Sequence, residues 1–226
     1  MPETKKQKLY FVLSGFFILN ALLGELTGGK IFQIGEHDIP FLPKDVLLSV
    51  GVIMWPVVFI FTDIINEYFG REGVRKVTFL AIFLILFAFV FLWLAIRIPA
   101  AKASPVDQES FARVFGQSLA IIIGSITAFA ISQLVDVIIF TAFKKATHGA
   151  QLWLRATGST AVSQLVDTFV VGFIAFVIPG SMAMADYLRL SFGNYVYKLL
   201  IAIAVTPIIY LLHFAIDLYL QEKSNR

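Results

Sequence analysis

The 226-residue chain contains no cysteine. Disulfides, thiol nucleophiles, iron–sulfur clusters and cysteine zinc sites are therefore excluded together. Charge is scarce as well: Asp, Glu, Lys and Arg make up 15% of the residues, too few to clothe a water-soluble domain in which 58% of residues are hydrophobic. No Gly-x-x-x-x-Gly-Lys-Ser/Thr segment is present, so the chain does not hydrolyse ATP through that device. Tyr-Asp with Gly-x-Gly-Asp and His-Glu-x-x-His are missing, and Gly158-Ser159-Thr160 does not sit in a Gly-x-Ser-x-Gly frame. These gaps set aside the intramembrane aspartyl, zinc and serine hydrolases. The net charge of +3 is explained by loop placement and gives no reason to expect a nucleic-acid partner.

Long apolar runs dominate what is present. Each membrane span of roughly 20 residues plus a short loop consumes about 30–35 positions, so the length fits one bundle. The pattern predicts an all-α integral membrane protein of one domain with six spans, at about 9–26, 46–68, 77–98, 114–143, 157–178 and 195–220. A short hairpin or ordered loop is expected between the first two, where Gly and Pro punctuate residues 28–45. Pro56 is expected to kink the second span. The third span is nearly pure hydrocarbon and is expected to face lipid or to act as filler. At 30 residues the fourth is long enough that it must tilt, bend or project into water. Most of the eighteen Lys and Arg fall at the N-terminus, residues 71–76, residues 144–155 and the C-terminal tail, which places both termini in the cytoplasm.

One five-residue stretch occurs twice. Ser132-Gln133-Leu134-Val135-Asp136 and Ser163-Gln164-Leu165-Val166-Asp167 each lie inside an apolar run. A carboxylate there costs several kcal/mol unless it is paired, hydrogen-bonded or facing water, so intramembrane acids generally mark solute or ion pathways. Counting 1.5 Å per residue inward from Lys144 and Arg155 puts Asp136 at about 12 Å and Gln164 at about 13 Å, Gln133 at about 16 Å and Asp167 at about 18 Å. In antiparallel helices each Gln would then lie level with the other repeat's Asp. Asn20, Asp63 and His213 reach a similar depth, with Asn66 and Glu67 nearer the surface; Asp63, Asn66 and Glu67 share one helical face, as do His213 and Asp217, at spacings of three or four.

Plainer roles stand beside these. Single amides often join helices, Glu67 and Asp217 lie near the interface, and His213 suits packing, pairing or proton transfer. Glu25 and Lys198 lie toward the opposite face and are expected to pair, or to carry a proton. The acids and amides suit a ligand with several N–H donors and a carbonyl, and the abundant Phe, Tyr and Trp can stack on a flat ring. A proton or metal ion would suit the acids too.

The segments Phe61-Thr62-Asp63-Ile64-Ile65-Asn66-Glu67-Tyr68-Phe69-Gly70, Ser132 to Phe140, Gly158 to Thr168 and Tyr197-Lys198-Leu199-Leu200, in this order, resemble the queuosine precursor transporters. These are small six-helix membrane proteins related to the vitamin uptake transporters. The resemblance implies a 7-deazaguanine base, cyano- or aminomethyl-substituted, as substrate, and binding roles for Gln133, Asp136, Gln164 and Asp167, with Asp63, Asn66 and Glu67 beside them. It implies no cofactor, and import across the inner membrane by the chain alone or as a homo-oligomer. In size and helix count the family is also similar to the substrate-binding subunits of energy-coupling-factor importers. Ser14-Gly15 and Ala21-x-x-Gly24 are present on the first span, but an Ala-x-x-x-Ala docking pattern is not. A proton-coupled carrier of another purine or vitamin is the remaining transport reading. The repeat leaves open whether both aspartates bind ligand or one of them is structural.

Overall fold

The computed structural model of the protein describes residues 4–34, 46–146, 152–204 and 206–221. Helix α1, Lys5–Thr27, starts at a capping box: Gln7 N–H donates to Thr4 Oγ1 (3.2 Å) and Thr4 N–H donates to Gln7 Oε1 (2.8 Å). Strand β1, Ile31–Ile34, then pairs antiparallel with β2, Val46–Ser49, in a register that sets Ile31 opposite Ser49. Residues 35–45, on which the expected loop falls, lie outside the described residues.

A 3₁₀ turn, Val50–Met54, leads into α2, Trp55–Arg97. Pro56 does not kink this helix. It occupies the first turn, where its missing N–H would have had no intrahelical partner in any case. The break falls at Gly70, whose φ of 66° and ψ of −175° are open to a residue without a Cβ. It divides α2 into two arms that fold back on each other, so that Val58, Ile64 and Ile65 of the first meet Val77 and Ala81 of the second around Leu13 and Phe17 of α1.

Helix α3, Gln108–Ala146, begins where both the N–H and the hydroxyl of Ser110 bond the Asp107 carboxylate (2.8 and 2.7 Å). Those bonds hold the exposed Asp107 carboxyl below its ordinary range. At 39 residues, roughly 58 Å, α3 outruns the roughly 30 Å hydrocarbon layer, as its length in the sequence demands. Helix α4, Leu152–Gly172, packs along α3 and continues into a π-helical turn, Phe173–Val177. Helix α5, Met184–Ala204, begins well before Tyr195, where the sequence pattern opens its last span. Helix α6, Thr206–Gln221, follows with Pro207 in its first turn.

Among the described residues, four stretches are long and apolar enough to cross a membrane: Lys5–Thr27, Val50–Gly70, Glu72–Arg97 and Gln108–Ser132. Ala161–Val177 and Pro207–Leu220 are shorter apolar helices. The protein is therefore a predominantly helical, multi-pass membrane protein. On the second arm of α2, Phe79, Phe83, Phe87 and Phe91, spaced by four and each 62–66% exposed, form one uncovered apolar stripe.

The end of α1 lies directly against the 3₁₀ turn. A Cβ on Gly51 would land on the Gly24 carbonyl oxygen and 2.9 Å from Gly28 Cα, and neither backbone atom can swing away. Gly116, mid-helix in α3, has nothing within 4 Å of such a Cβ. Gly51→Ala is expected to destabilise the protein by about 1–3 kcal/mol, whereas Gly116→Ala is neutral or stabilising by up to about 1 kcal/mol. Thermal unfolding in detergent checks the contrast, and equal midpoints for the two variants would contradict it.

Candidate functional site

Five helices enclose a cavity of about 500 Å³, and each presents one face to it. From α1 come Phe17, Asn20, Ala21, Gly24, Glu25 and Gly28, a run of three- and four-residue steps that defines one side of a helix. The first arm of α2 adds Trp55, Phe59 and Thr62, and α3 adds Ser125, Phe129 and Ser132. Ser163, Gln164, Asp167 and Thr168 come from α4. Ser191, Asn194 and Lys198 lie along the buried side of α5, which also carries Tyr187 and Leu190. Aromatic and small polar groups therefore share one wall, a lining common in small-molecule sites.

Charge in the cavity is arranged unequally. The Lys198 side chain is 7% exposed, and its Nζ lies 3.4 Å from Asp167 Oδ2, donates to Thr168 Oγ1 at 3.2 Å and sits 4.4 Å from the centroid of the Trp55 ring. A buried ammonium needs a counter-charge and further partners to offset its desolvation, and here it has a carboxylate, a hydroxyl and a π face. Glu25 lines the same cavity but makes a different hydrogen bond. Its Oε2 accepts from the Ser125 hydroxyl (2.9 Å), and it forms no ion pair with any described residue. The buried Gln164 Oε1 has no hydrogen-bond partner among the described residues, while the backbone carbonyl of Gln164 accepts from Thr168 Oγ1 (2.8 Å). Asn20 Nδ2 donates to the Phe16 carbonyl one turn back (2.8 Å).

Of the residues singled out from sequence, the structure brings Asn20, Glu25, Gln164, Asp167 and Lys198 to one cavity. The expected pairing of Glu25 with Lys198 does not form. Asp167, on the helix preceding α5, takes the ammonium, and Glu25 on α1 bonds Ser125 instead. Asp63, Asn66 and Glu67 are exposed and do not line the cavity. His213 and Asp217 gather elsewhere, around Tyr68, whose hydroxyl donates to Asp217 Oδ1 (2.7 Å) and lies 3.1 Å from the His213 carbonyl. The side chains of Gln133 and Asp136 lie outside the described residues.

The alignment of the two repeats also differs from the one predicted by depth. A Cβ on Gly124 would sit 3.0 Å from the Val171 carbonyl, and Gln117 Nε2 donates to the Ala175 carbonyl (2.8 Å). In that antiparallel register Asp167 lies level with residues 125–128 of α3, not with residue 133, an offset of about 8–12 Å. Lys144 and Arg155, from which depth was counted, do not mark equal levels, because packing along the helix pair decides the register. Sequence reasoning passed over Ser125, Thr168 and Asn194. Spacing could have found them: Ser125 is seven residues before Ser132, Thr168 is four after Gln164, and Asn194 is four before Lys198. Trp55 carried no such signal.

A multi-pass helical protein with a polar cavity between its helices has the form of a small-solute transporter. Residues 49–212 match the profile of the family described as "Putative vitamin uptake transporter". Two curated proteins named "Probable queuosine precursor transporter" align with the chain. The one from Bacillus subtilis (strain 168) is 31% identical over 163 residues, 72% of this chain and 70% of its own length. The other, from Haemophilus influenzae (strain ATCC 51907 / DSM 11121 / KW20 / Rd), is 29% identical over 154 residues, 68% of this chain and 63% of its own. No solved structure matches. The chain belongs to the vitamin uptake transporter family, within the group that includes the queuosine precursor transporters.

The Lys198–Asp167 pair makes a stability prediction. Lys198→Met leaves Asp167 without its counter-ion and is expected to cost about 3 kcal/mol, whereas the double variant Lys198→Met/Asp167→Leu recovers most of that loss. Thermal midpoints of the wild type, the two single variants and the double variant close the cycle. Additive losses would show that the pair is not coupled.

Proposed function

We propose that the protein is an inner-membrane importer of 7-deazaguanine bases, the cyano- or aminomethyl-substituted precursors of queuosine. The observation that carries this reading is the cavity itself, where Asn20, Glu25, Gln164, Asp167 and Lys198 face a space bounded by Trp55, Phe59 and Phe129. A guanine-like base offers two adjacent N–H donor groups, a carbonyl acceptor and a flat ring, and each has a complement there. Gln164 Oε1, without a hydrogen-bond partner among the described residues, adds an acceptor for a ligand N–H. The names of the relatives support the same substrate class.

In this reading six segments cross the bilayer, both termini are cytoplasmic, and the Phe79–Phe91 stripe meets hydrocarbon. The base binds in the cavity while the helix groups around it open alternately to either side, with the chain working alone or as a homo-oligomer. The binding role that the resemblance implies for Gln133 and Asp136 is kept in this reading. The exposed Asp63, Asn66 and Glu67 and the His213–Asp217 group serve base passage toward the cytoplasm rather than the resting site.

Equilibrium binding to protein in lipid nanodiscs, paired with uptake into vesicles, tests the proposal. The wild type is expected to bind 7-cyano- or 7-aminomethyl-7-deazaguanine in preference to guanine, and Gln164→Leu to weaken binding by about tenfold or more through the lost amide. Absence of binding and uptake for both bases would overturn the assignment.

A further inference from the structure

The cavity has two described carboxylates, and they are not equivalent. Asp167 is already engaged: its Oδ2 holds the Lys198 ammonium, which Thr168 and Trp55 hold from other sides. Its side chain is 15% exposed. Glu25 is held by one neutral hydroxyl on one oxygen, and no described residue donates to the other. A carboxylate has about four acceptor positions, so Glu25 enters the cavity with most of its capacity unused. No described residue supplies the further donors, so that capacity is open to a donor that arrives from the cavity.

We infer that Glu25, held in place by Ser125, is the specificity-determining carboxylate that accepts the paired N–H donors of the ligand's pyrimidine edge, and that Asp167 acts as the structural counter-ion of Lys198. This rests on the proposed substrate class and adds which group reads it. The ring N–H and the neighbouring exocyclic amine of a guanine-type base are spaced to meet the two oxygens of one carboxylate, a charge-assisted two-point contact. A base lacking the amine would lose one of the two bonds and leave a carboxylate oxygen unsatisfied. Ser125 enters as a positioning residue: it bonds one side of Glu25 and so limits the carboxylate's rotation toward the cavity.

The test compares binding of 7-cyano-7-deazaguanine with that of its analogue lacking the 2-amino group, in nanodiscs, for the wild type, Glu25→Gln, Ser125→Ala and Asp167→Asn. The wild type should prefer the amino-bearing base by about tenfold or more, and Glu25→Gln should reduce the preference to within about threefold. Asp167→Asn should weaken both ligands alike and keep the ratio. Ser125→Ala, which retains the charge but frees the carboxylate, should lower the preference to an intermediate value, and it reports on the same contact if Glu25→Gln cannot be purified. A full wild-type preference in Glu25→Gln, or in Ser125→Ala where that variant stands alone, overturns the inference. So does a wild type that binds both bases equally, because it then reads no amine. In each of these cases the transport reading is left standing. A wild type that binds neither base overturns both.

Discussion

An ammonium among apolar helices is tolerated only where its surroundings replace the water it has lost, and Lys198 sets that constraint for half of the molecule. Its partners come from three directions: Asp167 and Thr168 on α4 and the Trp55 ring at the start of α2. Removing one of them would leave the charge incompletely compensated. The position of α5 against α4 and the foot of α2 is therefore a condition for keeping Lys198 inside at all. Where α4 must end beneath this group, the π-helical turn Phe173–Val177 changes the hydrogen-bond pattern, and the Ala175 carbonyl is bonded by Gln117 Nε2 of α3 (2.8 Å).

A second, uncharged knot holds the other side of the cavity. Ser49, at the end of β2, donates through Oγ to the Gly28 carbonyl (2.7 Å) and accepts there from Gly51 N–H (3.1 Å), while its own N–H reaches Asn194 Oδ1 (3.1 Å). Ser118 Oγ of α3 lies 3.0 Å from the Leu26 carbonyl. The last turn of α1 would otherwise present unsatisfied carbonyls to an apolar interior. Binding them to β2 and α3 also fixes Glu25, one turn earlier, relative to Ser125. The strand pair thus acts on the cavity without lining most of it: it sets the height and rotation of the helix that carries Glu25.

Much of this was legible in the chain. Runs of hydrocarbon gave the membrane class, and the polar positions within them set Asn20, Gln164 and Asp167 in one layer but Glu25 and Lys198 toward the opposite face as a separate pair, whereas all five line one cavity. Sequence could not give the register between helices or the choice of counter-ion, because both depend on side-chain volumes at contacts far apart in the chain. Where Gly124 packs against Val171, one repeat lies more than a turn past the level counted from the basic residues, while Asp167 meets Lys198 and Ser125 meets Glu25. Pro56 misled for a local reason. A proline breaks a helix interior, yet it is well suited to a first turn, and the 3₁₀ segment ahead of it moved the helix start to Trp55.

The repeated Ser-Gln-Leu-Val-Asp invites a symmetric reading, with two identical arms closing on one ligand. Identical residues on neighbouring antiparallel helices are equivalent only if a two-fold axis relates their surroundings as well. The second copy is followed by Thr168 and faces α5, whose lysine it neutralises. The first copy is followed by Val137 and belongs to a helix that continues to Ala146. A carboxylate that neutralises a resident cation is a poorer acceptor for a passing ligand, since every new bond competes with the one it already makes. The aspartate of the second copy is thereby committed to the lysine on α5. The remaining acid role in the described cavity then falls to Glu25, on a helix that carries no copy of the motif.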